Sequence, residues 1–459
     1  MQTVRKNLQT RQTDVLVIGS GTAGYTAAYA LRKAGREVLV VDKRPFGGVC
    51  AMRGCQPKKI LVTAAQAVHG ARALDGQGVS GVSQLNWSEL MRFKRDFTDA
   101  VPARTEKGFQ KAGMQTVHGS ASFAGPNTVR VGEEEYTAGQ VLMAAGAVPR
   151  RLGVPGADLL LDSDGFLELA ALPESMAFIG GGFICFEFAF VCAVAGARVT
   201  VVHRGERFLR RFDPDMVAVL MAAGRDLGIR FLPETSLGRV EKFGQGLALH
   251  LEGATKDVLS VNAAVAAVGR VPDLNGLNLE AGRVECSEQG VAVNAYMQSM
   301  SNPAVYAVGD AAATPFALAT TADMEAEVAA HNMVHGNSRK ADHVAVPSVV
   351  FSIPPLAGVG LTEEQAEKQA EKQGLDISVN TDDAAGWMSS RRIGQKHAAY
   401  KVILDKTTGR VLGAHLVGRG AEETISVFAL AIKFGLTRQQ LKSLLWAYPT
   451  HVSDIKYMI

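Results

Sequence analysis

An α/β fold with two Rossmann-like dinucleotide-binding domains, followed by a C-terminal α+β module, is predicted from three observations on the 459-residue sequence. An apolar run, a glycine-rich turn, a helical segment and a second apolar run follow one another near the N-terminus. The same order recurs from residue 176. Beyond residue 341 the pattern changes to strands mixed with helices, with no glycine loop.

The first unit opens with DVLVIG at 14–19, a short β-branched run that reads as a buried parallel strand. Gly19-Ser20-Gly21-Thr22-Ala23-Gly24 follows, then a helical segment through Ala34, closed by Gly35. A second apolar run at 38–41 ends at Asp42, 18 residues beyond Gly24. Glycines in such a turn let the backbone approach a pyrophosphate at the helix N-terminus. An acid at the end of the second strand can accept a hydrogen bond from a ribose hydroxyl.

The second unit has MAFIG at 176–180, a turn from Gly180 through Gly182 to Cys185, a helix to Ala195 and a strand at 198–202. No acid ends that strand. His203 and Arg204 stand there, with Arg210 and Arg211 beyond. Cations at this place suit the 2′-phosphate of NADP; a solvated basic loop is the other reading. Two units imply two nucleotides, one giving and one taking a hydride. VYAVGD at 305–310 reads as a strand delivering Asp310 to a ligand. The last module is read as strands at 400–404 and 411–417 with helices at 362–373 and 422–434.

Composition narrows the function classes. Apolar residues make up 47% and charged residues 20%, which permits large cores and excludes wholesale disorder. The net charge is +3 with no long like-charge run, so neither nucleic acid nor an anionic membrane is expected as a partner. The stretch MQTVRKNLQTRQTD has no apolar signal region, and the expected location is cytoplasmic. Met176–Ala197 carries only Glu187 as a charge and is long enough to cross a bilayer, but Gly180–Gly182 interrupt it. Strand, turn and helix are expected there.

Five cysteines are too few for a disulfide scaffold. Cys50 and Cys55 form a C-x4-C pair shortly after Asp42, where the far end of a bound dinucleotide would lie. Three readings are open. A structural disulfide is uncommon in a reducing compartment. A metal site needs further ligands, and no second pair or nearby His cluster supplies them. A redox-active dithiol fits both the compartment and the two nucleotide sites. Lys58 and Lys59 follow, and nearby cations favour the reactive thiolate. Glu187, on an apolar helix, needs a partner because a buried lone carboxylate is costly. Cys185 and Cys192 lie i, i+7 on that helix and read as core packing.

The chain resembles the class I pyridine nucleotide–disulfide oxidoreductases, which include glutathione reductase, dihydrolipoamide dehydrogenase and mercuric reductase. The resemblance runs from about Asp14 to Lys456. It is carried by GSGTAG at 19–24, GGVCAMRGCQPKK at 47–59, GGGFICFE at 180–187, AVGRVPD at 267–273, AVGD at 307–310, PSVVFSIPPLAGVGLTEEQA at 347–366 and TGRVLGAHLVG at 408–418.

The resemblance implies roles. Asp42 and Asp310 hold FAD, Cys55 faces the flavin and Cys50 is the interchange thiol that meets substrate. Lys59 and Glu187 form the ion pair beside the flavin. Arg204 and Arg210 select NADPH. Gly19, Gly21, Gly24, Lys43, Gly48, Gly146, Gly180, Gly182 and Gly269 are the further cofactor contacts. It also implies FAD-binding segments 1–150 and 271–340, an NADPH-binding segment 151–270, and an interface segment 341–459 that builds a homodimer. Hydride passes from NADPH through flavin to the Cys50–Cys55 pair.

The family's His-Pro-Thr-x-x-Glu motif is altered. Tyr448 replaces the histidine and Ser453 the glutamate in Tyr448-Pro449-Thr450-His451-Val452-Ser453-Asp454. Histidine titrates near neutrality and can take and return a thiol proton; a phenol ordinarily stays neutral and is a poor base. A helical segment would put His451 and Asp454 on one face as a displaced base and orienter. A tyrosine here also resembles mercuric reductase, whose C-terminal cysteine pair and N-terminal metal-binding domain have no counterpart in this sequence. The expected activity is reduction of a non-standard disulfide or thiol-bound acceptor. The alternatives are a metal-ion reductase, a flavin-only quinone or oxygen reductase, and a redox-sensing binding partner. No resident metal is expected.

Overall fold

Val15–Ile18 and Val38–Val41 are almost wholly withdrawn from solvent, as parallel strands covered on both faces must be. The computed structural model describes residues 10–81 and 83–459, so the first nine residues of the stretch read for a signal lie outside the described residues. The first sheet contains β1 (Thr10–Ile18), β2 (Val38–Asp42), β3 (Gln115–His118), β4 (Ala121–Gly125), β5 (Thr128–Val131) and β6 (Glu134–Met143), in the order β3-β2-β1-β6-β5-β4. β3, β2, β1 and β6 run parallel; β5 and β4 are antiparallel. Val305–Ala307 adds a parallel strand along the C-terminal end of β6.

α1 (Thr22–Lys33) follows the first glycine turn with Gly21 as its N-cap. Its buried face is Ala23, Gly24, Ala27, Ala28 and Leu31. Small residues there allow close approach to the helix Ala319–His335. α2 (Gly48–Arg53) and α3 (Cys55–Ala73) carry the two thiols.

The chain forms two compact units. One holds the residues up to Pro57, Lys94–Arg150 and Arg270–His343; the other holds Lys58–Phe93, Arg151–Gly269 and Val344–Ile459. In the second unit, Arg230–Leu232, Arg198–Val202, Ser175–Ile179 and Ala263–Ala266 form a parallel sheet in that order. Phe183–Val194 is buried on nearly every face, which accounts for its membrane-like composition. Among the described residues no helix is long and apolar enough to cross a membrane. Residues 235–261 add a three-stranded antiparallel sheet.

A five-stranded antiparallel sheet closes the second unit, in the order Ser348–Val350, Leu356–Gly360, Val411–Val417, Ala399–Asp405, Ile377–Asp383. Its core strand Ala399–Asp405 contains Lys401, only 1% exposed. The ammonium pairs with Asp215 and Glu363 at 2.5 Å and Asp213 at 3.1 Å. Burial pulls the Lys401 pKa down, but the carboxylates of Asp215, Glu363 and Asp213 outweigh it and raise it above the ordinary lysine value. A cation with a raised folded-state pKa gives its full stabilisation below the unfolded pKa and loses it only as pH climbs through the raised value. Lys401→Met strands the fully buried Asp213 carboxylate and should cost about 3–5 kcal/mol. Denaturant midpoints at pH 7 check this; an unchanged midpoint would show that the cluster contributes nothing.

Candidate active site

The first glycine turn is held by backbone contacts that a side chain would break. Gly19 has φ +104°, and a Cβ there would stand 2.2 Å from the Ala144 carbonyl oxygen. Gly48 has φ +71°, and its Cβ would lie 2.3 Å from Gly21 Cα. Gly24 packs on the Gly19 carbonyl, which is the close helix–strand approach the third glycine serves. Asp42 ends β2 and accepts from Ser20 N–H at 2.9 Å, Ser20 Oγ at 2.6 Å and Arg44 N–H at 2.9 Å. Ser20 Oγ in turn accepts from Gly47 N–H at 3.0 Å. Asp42 therefore ties the turn to the segment entering α2, and its oxygens keep acceptor capacity for a sugar hydroxyl.

Lys43 pairs with Asp273 at 2.8 Å. The backbone N–H of Asp273 donates to the Gly146 carbonyl at 2.9 Å. Asp310 lies in the short turn Gly309–Ala311 after Val305–Ala307. Burial raises its pKa, and Arg270 opposes that shift. A largely buried acid beside a glycine cradle suits the polar part of a dinucleotide, so these residues fit FAD.

Cys50 and Cys55 are free thiols in contact with each other. Hydrogen bonding to Cys55 and then burial push the Cys50 thiol well above its usual pKa, and a hydrogen bond with Thr22 partly offsets them. Cys50 thus stands against Cys55, the first residue of α3. Two thiols in contact can close to a disulfide with loss of two electrons and two protons. Among the described residues no three His, Cys, Asp or Glu side chains converge to hold a metal ion.

The second glycine turn leads into Phe183–Val194 with Gly182 as N-cap, and the Gly180 backbone lies against Ala267. Cys185 is fully buried at the third position, and Gly269 lies three residues past the strand Ala263–Ala266. Glu187 is 0% exposed. Here the structure adds a closer partner to the Lys59–Glu187 pair. The close partner of Glu187 is Lys58; Lys59 stands at 3.8 Å and lies over the Phe351 ring, 3.1 Å from its centroid. Phe351 N–H also donates to Glu187 at 2.8 Å. The reason is helical phase. Lys58 precedes the buried Leu61, Val62 and Ala65 by three, four and seven residues, which is one helix stripe; Lys59 is a step round the helix. That spacing was readable in the sequence.

Arg204 and Arg210 are both exposed beyond the strand Arg198–Val202. They lie close enough to His203 to lower its pKa, after the larger effect of burial. The C-terminal motif is arranged differently from a helical base and orienter. Tyr448 is 69% exposed. Val452–Asp454 is a single 3-10 turn, and Ser453 closes it on Thr450. Asp454 Oδ2 accepts from Ser389, and the carboxylate also acts electrostatically on the His451 ring. The His451 ring lies against Gly420. Burial lowers the His451 pKa, Asp454 opposes that shift, and Arg392 and Arg419 add to it.

Comparison with known proteins agrees with this arrangement. The family model for pyridine nucleotide-disulphide oxidoreductases matches residues 13–326, and that family's dimerisation domain matches residues 346–459. A glutathione reductase of Burkholderia cepacia is 34% identical over 96% of this chain and 97% of its own length. A mercuric reductase of Bacillus cereus is 30% identical over 97% of this chain and 71% of its own. A solved structure of the Cu(II) complex of the HOCl-induced flavoprotein disulfide reductase RclA from Escherichia coli superposes with TM-score 0.88. It is 25% identical and covers 98% of this chain and 99% of that one.

The chain belongs to the pyridine nucleotide-disulphide oxidoreductases. It is a flavoprotein oxidoreductase of a family that uses FAD with a pyridine nucleotide, and its dimerisation domain supports a homodimer.

The two lysines should separate cleanly by mutation. Lys58→Met leaves a buried carboxylate short of its cation and should cost about 3–5 kcal/mol, whereas Lys59→Ala should cost no more than about 1 kcal/mol. Urea midpoints of the two variants test the order; the reverse order would restore Lys59 as the counter-ion.

Proposed function

We propose that this protein uses NADPH to reduce a non-standard disulfide or a thiol-bound acceptor through Cys50 and Cys55. The observation that carries this reading is the contact of the two thiols, in a chain whose C-terminal motif has an exposed tyrosine where the family has a histidine. In this reading 1–150 and 271–340 bind FAD, 151–270 binds NADPH and 341–459 pairs two subunits. Asp42, Asp310 and the turn at Gly19, Gly21 and Gly24 would hold FAD, with Gly48 and Gly146 at its edge; Lys43 acts by holding Asp273. Arg204 and Arg210 would hold the 2′-phosphate, and Gly180, Gly182 and Gly269 would leave room for the nucleotide backbone. Bound FAD supplies hydride acceptance from the nicotinamide and electron delivery to the thiols.

Cys50 attacks one sulfur of the acceptor as its proton is lost, and a mixed disulfide forms. Cys55 then attacks Cys50 and releases the second thiol. Two thiols become one disulfide while the acceptor disulfide gains two electrons and two protons. The leaving thiolate must be protonated. Glutathione or lipoamide leaving groups need that help and should turn over about 10²–10⁴-fold slower than in a histidine-equipped enzyme. Acidic aromatic thiols leave without it, as do thiols bound to a soft metal ion. A metal-ion acceptor is the second reading, favoured by the likeness to a mercuric reductase and to a Cu(II)-bound reductase. A dithiol that must return to the reduced state suits the cytoplasm.

NADPH consumption would be measured against glutathione disulfide, lipoamide, an aromatic disulfide, mercuric ion with excess thiol, Cu(II) and a quinone. Fast turnover is expected only with the aromatic disulfide or the metal ions, and should vanish in Cys50→Ser while flavin reduction by NADPH persists. Rapid turnover of glutathione disulfide would overturn the proposal, and quinone activity surviving Cys50→Ser would make the thiols spectators. Arg204→Ala should weaken NADPH binding about tenfold to a hundredfold with little change for NADH, read as KM for each nucleotide. Equal changes for both would assign the arginines to a solvated loop.

A further inference from the structure

Glu325 is a second buried carboxylate, 0% exposed, on the helix Ala319–His335. No motif singled it out. One oxygen accepts the backbone N–H of Gly309 at 2.8 Å. The other meets His343 Nε2 at 2.8 Å. Gly309 is the residue before Asp310 and has φ +60°. It is wedged between two helices, because a Cβ there would stand 3.2 Å from Ala322 Cβ and 3.4 Å from Ala23 Cβ. The strand Val305–Ala307 ends two residues earlier, and between them Val308 N–H donates to the Met143 carbonyl at 3.0 Å. From there the Asp310 turn is fixed by the Glu325 acceptor, by the Ala312 N–H to Gly309 carbonyl bond at 2.9 Å, and by the Ala23–Ala322 wedge.

A buried carboxylate needs both oxygens satisfied. Gly309 N–H takes one and His343 the other, with the His343 ring stacked on Phe316 at 6.4 Å. The histidine thereby keeps the acid in place from the far end of the helix–loop segment.

We propose that Glu325 is the positioning residue for Asp310: it holds the Gly309–Asp310 turn in the left-handed conformation that aims the Asp310 carboxylate at bound FAD. His343 secures Glu325 in turn. The inference rests on the reading of Asp310 as an FAD contact. Loss of the acceptor leaves the Gly309 N–H buried and unpaired, so the turn relaxes and FAD is held more loosely. Glutamine keeps a carbonyl acceptor of the same reach and an N–H₂ group for the other imidazole tautomer.

The test is FAD release from the diluted holoenzyme, followed by recovery of flavin fluorescence, with visible circular dichroism of the bound flavin as a second signal. Asp310→Asn, Glu325→Ala, Glu325→Gln and the Asp310→Asn/Glu325→Ala pair would be compared. Glu325→Ala should weaken FAD binding about tenfold or more and alter the flavin dichroism. Glu325→Gln should stay near wild type in both. In the double variant Glu325→Ala should add less than about twofold to the Asp310→Asn loss, since residues acting as one unit are not additive. Should the alanine variant not fold, Glu325→Asp, too short to reach Gly309, is expected to show the same loss. Independent, multiplying losses, or wild-type affinity in Glu325→Ala or Glu325→Asp, would overturn the inference while leaving Asp310 as a contact. Wild-type affinity in Asp310→Asn would remove the Asp310 reading and the inference with it.

Discussion

The carboxylate of Glu187 has no access to water, and much of the second unit is arranged around that constraint. An ion in an apolar interior is tolerated only when its partners are fixed in place. Lys58 comes from α3, the amide of Phe351 from the segment after Ser348–Val350, and Glu187 itself from the helix behind the second glycine turn. Three distant pieces of chain are therefore pinned at one point. Its charge also accounts for the single acidic residue in an otherwise apolar helix.

The same device recurs. Asp213 caps a helix and meets the buried Lys401. Glu325 joins a turn amide to a histidine. Each carboxylate is costly to bury, and each is matched by donors from separate segments. Apolar packing alone is non-directional; these ions specify which turn or strand sits where. The glycine turns work in the opposite sense. At Gly19 and Gly48 the backbone itself fills the space a side chain would need, which leaves amides rather than side chains facing a ligand.

The thiols and the C-terminal motif differ in how their side chains are held. Hydrogen bonding to Cys55 and burial raise the Cys50 pKa. No histidine stands at position 448, and the nearby His451 has a lowered pKa and is packed on Gly420.

Much of this was legible in the residues themselves. Strand–glycine–helix–strand order, repeated twice, determined the fold class, because period and glycine placement are local properties. Asp42, the Cys50–Cys55 pair, the basic Arg204–Arg210 loop and the missing histidine were also visible as spacing. Tertiary structure decided the rest. Glu325 gave no signal because its partners, Gly309 and His343, lie 16 and 18 residues away. His451 and Asp454 share a short turn, and one Asp454 oxygen is also taken by Ser389, 65 residues before it, a partner no local spacing shows. Sequence spacing records what a segment can do by itself; which partner a buried charge takes depends on what the fold brings to it.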